Sequence, residues 1–202
     1  EHDPALQSAR AVGFILCAGS LDEHRGYCSR TCCAQSVKNA IRLKQADPDR
    51  PVYVWYKEMR TFGLTEEYFT RARELGVIFA RYDNDTKPVV DVGARVRVTY
   101  HERAFNERLS VPVDLLVLAT PTVPNDGASE LSKLLKVPLQ ADGFFLEAHV
   151  KLRPVDFASE GIFLCGSAHY PKGIEESISQ AYAAAGRAAA ILAKPALKAG
   201  GV

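Results

Sequence analysis

No apolar run in this chain of 202 residues is long enough to cross a bilayer. The stretch from Val113 to Ala119 is broken by Asp114, and roughly 20 apolar residues would be needed. No membrane span is expected. Charge of one sign is not in excess either. There are 25 Lys plus Arg against 24 Asp plus Glu, a net charge of +1, so nothing predicts a long-range attraction to nucleic acid or to an anionic membrane. Glu1, His2, Asp3 and Pro4 open the chain without a basic stretch followed by an apolar one. No signal peptide is visible, and a cytoplasmic setting is expected. An initiating Met is missing, Met59 being the only one, and the chain is expected to begin within a longer protein. Cysteine is scarce outside one place. Of five cysteines, four fall between Cys17 and Cys33, and Cys165 stands alone. A disulfide framework spreads cysteines along a small secreted chain, whereas a local cluster in a chain long enough to build a core points to a metal site.

The remaining composition is that of an ordinary globular protein, 47% hydrophobic and 24% charged. Ala11 to Leu16 reads as a buried strand ending at Cys17. Gly19, Ser20, Asp22 and Gly26 mark a loop. Apolar residues at Ala34, Val37, Ala40, Ile41 and Leu43 predict a helix over 32–46, stopped by Pro48 and Pro51. Pro51 to Tyr56 predicts a strand, Thr65 to Leu75 a helix and Val77 to Tyr82 a third strand. Alternating strands and helices imply a parallel sheet with crossover helices, hence an α/β, Rossmann-like three-layer unit. Arg95 to Tyr100 and Arg108 to Pro112 predict a β-hairpin across a polar turn. Asp114 to Thr120 predicts a buried strand, and Ala128 to Lys136 a short helix. Gly161 to Gly166 predicts a strand that leads through a small-residue turn into a long helix over 174–193. Backbone N–H groups in such a turn can receive an anion or the polar edge of a cofactor. The expected organisation is a Rossmann-like lobe over 11–112 carrying the cysteines, a second segment over 113–194, and flexible termini at 1–10 and 195–202.

The cysteines follow the pattern C-x10-C-x3-C-C, as Cys17, Cys28, Cys32 and Cys33. Four thiolates can satisfy an iron–sulfur cluster or a single zinc ion. Zinc sites usually draw on short C-x2-C pairs, which are absent here, and the start of the 32–46 helix favours negative charge. The preferred reading is a 4Fe-4S cluster. A non-catalytic scaffold or interaction module with structural zinc on the same cysteines is the alternative. The cluster position follows the first strand, where a dinucleotide-binding unit carries G-x-G-x-x-G. That fingerprint is absent, so the lobe is not expected to bind a nicotinamide cofactor.

Taken together, Cys17-Ala-Gly-Ser, Tyr27-Cys-Ser-Arg-Thr-Cys-Cys, Arg60-Thr-Phe-Gly, Gly161-Ile-Phe-Leu-Cys-Gly and Pro171-Lys-Gly-Ile-Glu-Glu-Ser-Ile resemble the A subunit of heterodisulfide reductase and its bacterial relatives. The resemblance runs in order from about residue 11 to residue 193. It implies a thioredoxin-reductase-like core, an electron-transfer oxidoreductase role, FAD, and a 4Fe-4S cluster held by Cys17, Cys28, Cys32 and Cys33. It further implies that Gly166, Ser167, Pro171, Lys172, Gly173 and Ile174 lie against the flavin, making the second segment the C-terminal part of an FAD-binding lobe. Cys165 is expected to be a small packing residue, and the histidines are expected in loops or on the surface. Without G-x-G-x-x-G, the other half of the FAD site is expected from a missing N-terminal segment or a partner chain. Other redox subunits are the implied partners.

Overall fold

The structure is a computed structural model that describes residues 8–194. Residues 1–7 and 195–202 of the expected flexible termini lie outside the described residues. Residues 8–10 do not fit that expectation. Ala9 is buried, and the Arg10 and Ala11 N–H groups both donate to Asp114 Oδ2 at 2.9 Å.

Four parallel strands form the first sheet: β1 (Val12–Ile15), β2 (Val52–Tyr56), β3 (Ile78–Arg81) and β7 (Leu115–Leu118), in the order β3-β2-β1-β7. Every residue of β1 is buried. A strand with parallel neighbours on both sides and layers over both faces has no wet face, so it reads as a continuous apolar run. Its register pairs Val12 with Val52 on one side and with Leu115 on the other. Helix α1 (Cys32–Ala46) and helix α2 (Glu66–Glu74) lie between these strands in sequence. The buried residues of α1, among them Cys33, Val37, Ala40, Ile41 and Lys44, recur at helical spacing and define one face. That face joins Val12, Phe14, Val52 and Val54 in one core. Lys44 Nζ ties the loop after α1 back to the helix by donating to the carbonyls of Pro48 and Arg50.

The other face of the sheet is covered by a second, antiparallel sheet of β4 (Val89–Val92), β5 (Val96–Glu102) and β6 (Glu107–Val113). Trp55, Tyr100, Val98 and Val113 build the core there. The hairpin β5–β6 was expected. Strand β4 was not, because Val89-Val-Asp-Val is exposed along its length and shows no alternation of buried and polar positions. The expected α/β three-layer unit is therefore made of helices, a parallel sheet and an antiparallel sheet.

Two compact units divide between Pro121 and Thr122. A boundary at 112/113 would give β7 to the second segment; its pairing with β1 keeps it in the first. Its Val117 and Leu118 are also exposed rather than buried, because β7 lies at the edge of the sheet. The second unit contains α3 (Ala128–Leu135) and α4 (Ile174–Leu192). Between them run irregular segments joined by isolated bridges such as Asp156 to Phe163. The expected strand over 161–166 is this single bridge. Ala128, Val137, Phe145, Phe157 and Leu164 form the unit's core. Buried Asp156 accepts from Arg187 Nε at 3.0 Å and Nη2 at 2.9 Å, tying α4 to the irregular segment.

Gly13 in β1 is required by close approach. A Cβ there would sit 2.7 Å from the Trp55 ring and 3.2 Å from Leu116. Trp55 is 1% exposed and cannot move aside. Gly13→Ala is expected to cost about 1–3 kcal/mol, measured by denaturant unfolding. An unchanged midpoint would mean that Trp55 repacks freely.

Candidate functional site

In open α/β sheets the crevice beyond the carboxyl ends of two strands whose connections diverge is the usual ligand position. Here that crevice lies between β1 and β7. Ala18 N–H donates to the Ala119 carbonyl at 3.2 Å, and Gly19 lies against Pro121. Cys17 leaves β1 with φ of 57°, Leu21 follows at 54° and Arg30 at 63°. These are three of the five positive-φ non-glycine residues among the described residues. Each such residue costs about 1–3 kcal/mol and persists only where its surroundings hold it.

What holds the loop is visible in its partners. Lys57, at the end of β2, is buried and donates from Nζ to the carbonyls of Ser20 at 2.7 Å and Leu21 at 3.2 Å. Asn84 Nδ2 adds a bond to Leu21 O at 3.1 Å. The Tyr82 hydroxyl donates to the Leu16 carbonyl at 2.5 Å. Asp22 accepts from the N–H groups of His24 and Arg25, closing the outer turn.

The four predicted cysteines share this end of the sheet. Cys17 and Cys33 are buried, and Cys28 and Cys32 are half-buried. Burial is the largest influence on Cys17 and holds its thiol above the ordinary value; the Lys57 and Glu58 backbone acts the other way, and Cys32 and Cys28 add repulsion. A hydrogen bond with Cys33 lowers Cys32 to about 6. The same bond, with burial, pushes Cys33 up, against the N–H of Arg60. Cys33 also donates to the Glu58 carbonyl at 3.5 Å, and Cys28 Sγ accepts from Arg30 N–H at 3.2 Å. Among the described residues, no three His, Cys, Asp or Glu side chains are gathered closely enough to hold one metal ion. The four thiols share a locality without converging on a point. As donors they are uniformly soft, a set that fits thiophilic iron–sulfur or zinc chemistry rather than a hard cation.

Of the segment after β2, Arg60-Thr-Phe-Gly was singled out from sequence as a motif of the resemblance, whereas Lys57 and Glu58 were not. Lys57, Glu58 and Arg60 follow a buried strand directly, and that position at a carboxyl end is the signal that could have found the first two. Thr61, next along, is 2% exposed, and its hydroxyl has no hydrogen-bond partner.

In the second unit, the residues expected against flavin surround the turn before α4. Gly166 has φ of 69°, a value that favours glycine, and its N–H is taken by Gln180 Oε1 at 2.9 Å. Ser167 lines a cavity of about 610 Å³ with Gly143, Phe144 and Phe145. Pro171 is buried, Gly173 begins α4 with its N–H on the Glu176 carboxylate, and Ile174 is exposed. Lys172 is buried: Nζ donates to Gln180 Oε1 at 2.5 Å, lies 3.3 Å from His169 Nδ1 and stands over the Tyr170 ring at 3.9 Å. Open space adjoins the Cα of both Gly166 and Gly173, leaving room for a ligand at the turn.

Two expectations are corrected here. Cys165 is exposed rather than packed, because the segment before it forms no strand. His169 is 4% exposed rather than on the surface, and its Nε2 lies 2.7 Å from Glu147 Oε2. Gln180 Nε2 meets its other ring nitrogen at 2.8 Å.

Several solved structures share this architecture, and they define a class by fold. The thioredoxin reductase of T. acidophilum matches 90% of this chain and 51% of its own, with a TM-score of 0.52 and 15% identity. That of Lactococcus lactis matches 90% and 52%, with a TM-score of 0.57 and 14% identity. The expected thioredoxin-reductase-like fold is thereby borne out. No family model matches the chain. Sequence relatives carry the assignment further. A protein of Archaeoglobus profundus described as like the A subunit of heterodisulfide reductase is 38% identical over 190 residues, covering 93% of this chain and 27% of that protein. The iron–sulfur A subunit of the CoB–CoM heterodisulfide reductase of Methanocaldococcus jannaschii is 40% identical over 185 residues, covering 86% and 27%. The chain is therefore related to heterodisulfide reductase A subunits, as its motifs imply, and spans about a quarter of the length of these relatives.

Burial is the largest influence on His169, holding it below its ordinary 6.5; the Lys172 charge adds to this and Glu147 opposes it. Burial alone would raise Glu147, but bonds from its own N–H and from His169 outweigh it and leave the carboxyl below 4.5. As pH falls through about 6.5, the unfolded chain binds the His169 proton before the folded one does, so stability present above that pH is lost below it. Glu147 adds a loss of the same sign below about 4.5. Urea unfolding at about pH 7.5 and about pH 5.5 is expected to show this fall, and His169→Gln is expected to flatten it. An unchanged slope in the variant would place the titration elsewhere.

Proposed function

We propose that this chain is the electron-transfer portion of a heterodisulfide-reductase-like flavin/iron–sulfur oxidoreductase, passing electrons between FAD and a 4Fe-4S cluster. The observation that carries the reading is the placement of four soft donors, Cys17, Cys28, Cys32 and Cys33, on the loop that leaves β1 and at the head of the helix that follows it. Cys17, Cys28, Cys32 and Cys33 would hold the cluster, thiolate being the ligand such clusters take. Gly166, Ser167, Pro171, Lys172, Gly173 and Ile174 are assigned to the flavin edge. When bound, FAD exchanges electrons singly or in pairs, and the cluster exchanges them one at a time.

The chain's own residues supply binding and charge. The N-terminus of α4 favours negative charge beside it, and Lys172 adds a cation whose position is set by Gln180, His169 and Tyr170. Such donors, fixed in advance, stabilise charge without reorganising. The rest of the FAD site belongs to a segment or partner chain outside these residues. Other redox subunits complete the electron path. None of the described helices is long and apolar enough to cross a membrane.

Anaerobic reconstitution followed by iron and acid-labile sulfide analysis tests the cluster. About four irons and four sulfides per chain are expected from the cluster stoichiometry. Bound zinc without sulfide would sink the assignment. Cys32→Ala is expected to lose most of the iron, whereas Cys165→Ala retains it.

A further inference from the structure

The turn before α4 is held by a chain of polar side chains whose direction follows from what each can donate or accept. Glu147 Oε2 lies 2.7 Å from His169 Nε2, with both side chains largely buried. Gln180 Nε2 lies 2.8 Å from the other ring nitrogen, Nδ1. Gln180 Oε1 takes the Gly166 N–H at 2.9 Å and the Lys172 ammonium at 2.5 Å. Gln140 Nε2 steadies the backbone beneath by donating to the His169 carbonyl at 3.0 Å.

Both ends of this chain admit one role only. A backbone N–H and an ammonium can only donate, so the Gln180 oxygen must face them and its amide nitrogen must face His169. Nδ1 then accepts, and a neutral imidazole that accepts at Nδ1 carries its proton on Nε2. The same direction is imposed from the other end, because an ionised carboxylate can only accept. Reversing one member reverses all of them. With the proton on Nδ1, Gln180 would have to turn its oxygen to His169, and its amide nitrogen would face Gly166 N–H and Lys172, donor against donor. The charges that act on His169 are those of Glu147 and Lys172; burial, with the Lys172 charge, holds it below its ordinary range against Glu147 and so keeps the ring neutral at neutral pH.

We propose that Glu147 is a positioning residue for this turn: through His169 and Gln180 it fixes the tautomer and the amide orientation that hold Gly166 and the Lys172 ammonium in place for the negatively charged edge of the flavin. The inference rests on the flavin reading above and names the residue that orders that edge.

The test uses the full chain, isotope-labelled in backbone and histidine nitrogen, at about pH 7.5, above the ordinary histidine range. Long-range proton–nitrogen correlation NMR reads which ring nitrogen of His169 carries the proton, with His169→Gln identifying its signals. The wild-type chain is expected to carry it on Nε2. Glu147→Leu is expected to move it to Nδ1 and to speed hydrogen exchange at Gly166 N–H about three- to tenfold, the loss of about one hydrogen bond. Glu147→Gln, whose amide oxygen still accepts, is expected to keep both at their wild-type values. Added FAD is expected to shift the Gly166 and Ser167 N–H signals, with half-saturation at about three- to tenfold higher FAD in Glu147→Leu and near wild type in Glu147→Gln. A wild-type His169 with its proton on Nδ1 overturns the inference without any variant, as does a folded Glu147→Leu with wild-type exchange and half-saturation. Should Glu147→Leu fail to fold, Gln180→Leu leaves the Glu147–His169 pair intact and is expected to keep the proton on Nε2 while Gly166 exchanges faster; a proton found on Nδ1 there overturns the inference. FAD that shifts neither signal in the wild-type chain would instead overturn the flavin reading, whatever the tautomer.

Discussion

The first unit depends on the central position of β1. A four-residue strand flanked by parallel partners and covered on both faces has no freedom of register, because every residue is buried and Gly13 admits the Trp55 ring. The chain can leave it only at its carboxyl end, beside β7. The left-handed turn at Cys17 is how it does so. That turn delivers the first thiol to the crevice and starts the loop that brings Cys28, then Cys32 and Cys33 at the head of α1.

A loop carrying strained residues and little apolar surface needs anchors from elsewhere. Lys57, Tyr82 and Asn84 supply them from the ends of β2 and β3. The same neighbourhood meets the thiols directly, since Cys33 donates to the Glu58 carbonyl. In the second unit the logic recurs with different groups: Gln180 receives Gly166 N–H and Lys172 Nζ, while His169 links them to Glu147. Both units use buried polar bonds to hold a cation near a turn.

Local patterns carried most of the first unit. The period of Ala34, Val37, Ala40, Ile41 and Leu43 reads directly as α1, and the apolar run before Cys17 reads as β1. The cysteine spacing was equally legible, since four soft donors within seventeen positions are hard to account for without a metal. Strand β4 was not legible: it is exposed on both faces, so burial wrote no pattern into it. Gly161 to Gly166 misled in the opposite sense, because a short apolar run fits a buried irregular segment as well as a strand. Leu164 enters the core there with only a single bridge nearby.

The sequence by itself determined the alternation of strands and helices, the four-cysteine set and the turn before the last helix, because these are contiguous and each residue's role shows in its neighbours. Only the tertiary structure decided that the end of β2 comes to the cysteines, Cys33 meeting the Glu58 carbonyl. It also decided that β7 closes the first sheet, that Lys57 holds the cysteine loop at Ser20 and Leu21, and that His169 is buried against Glu147. Those partners lie tens of residues apart, and no local periodicity records a contact that forms only when the sheet is assembled.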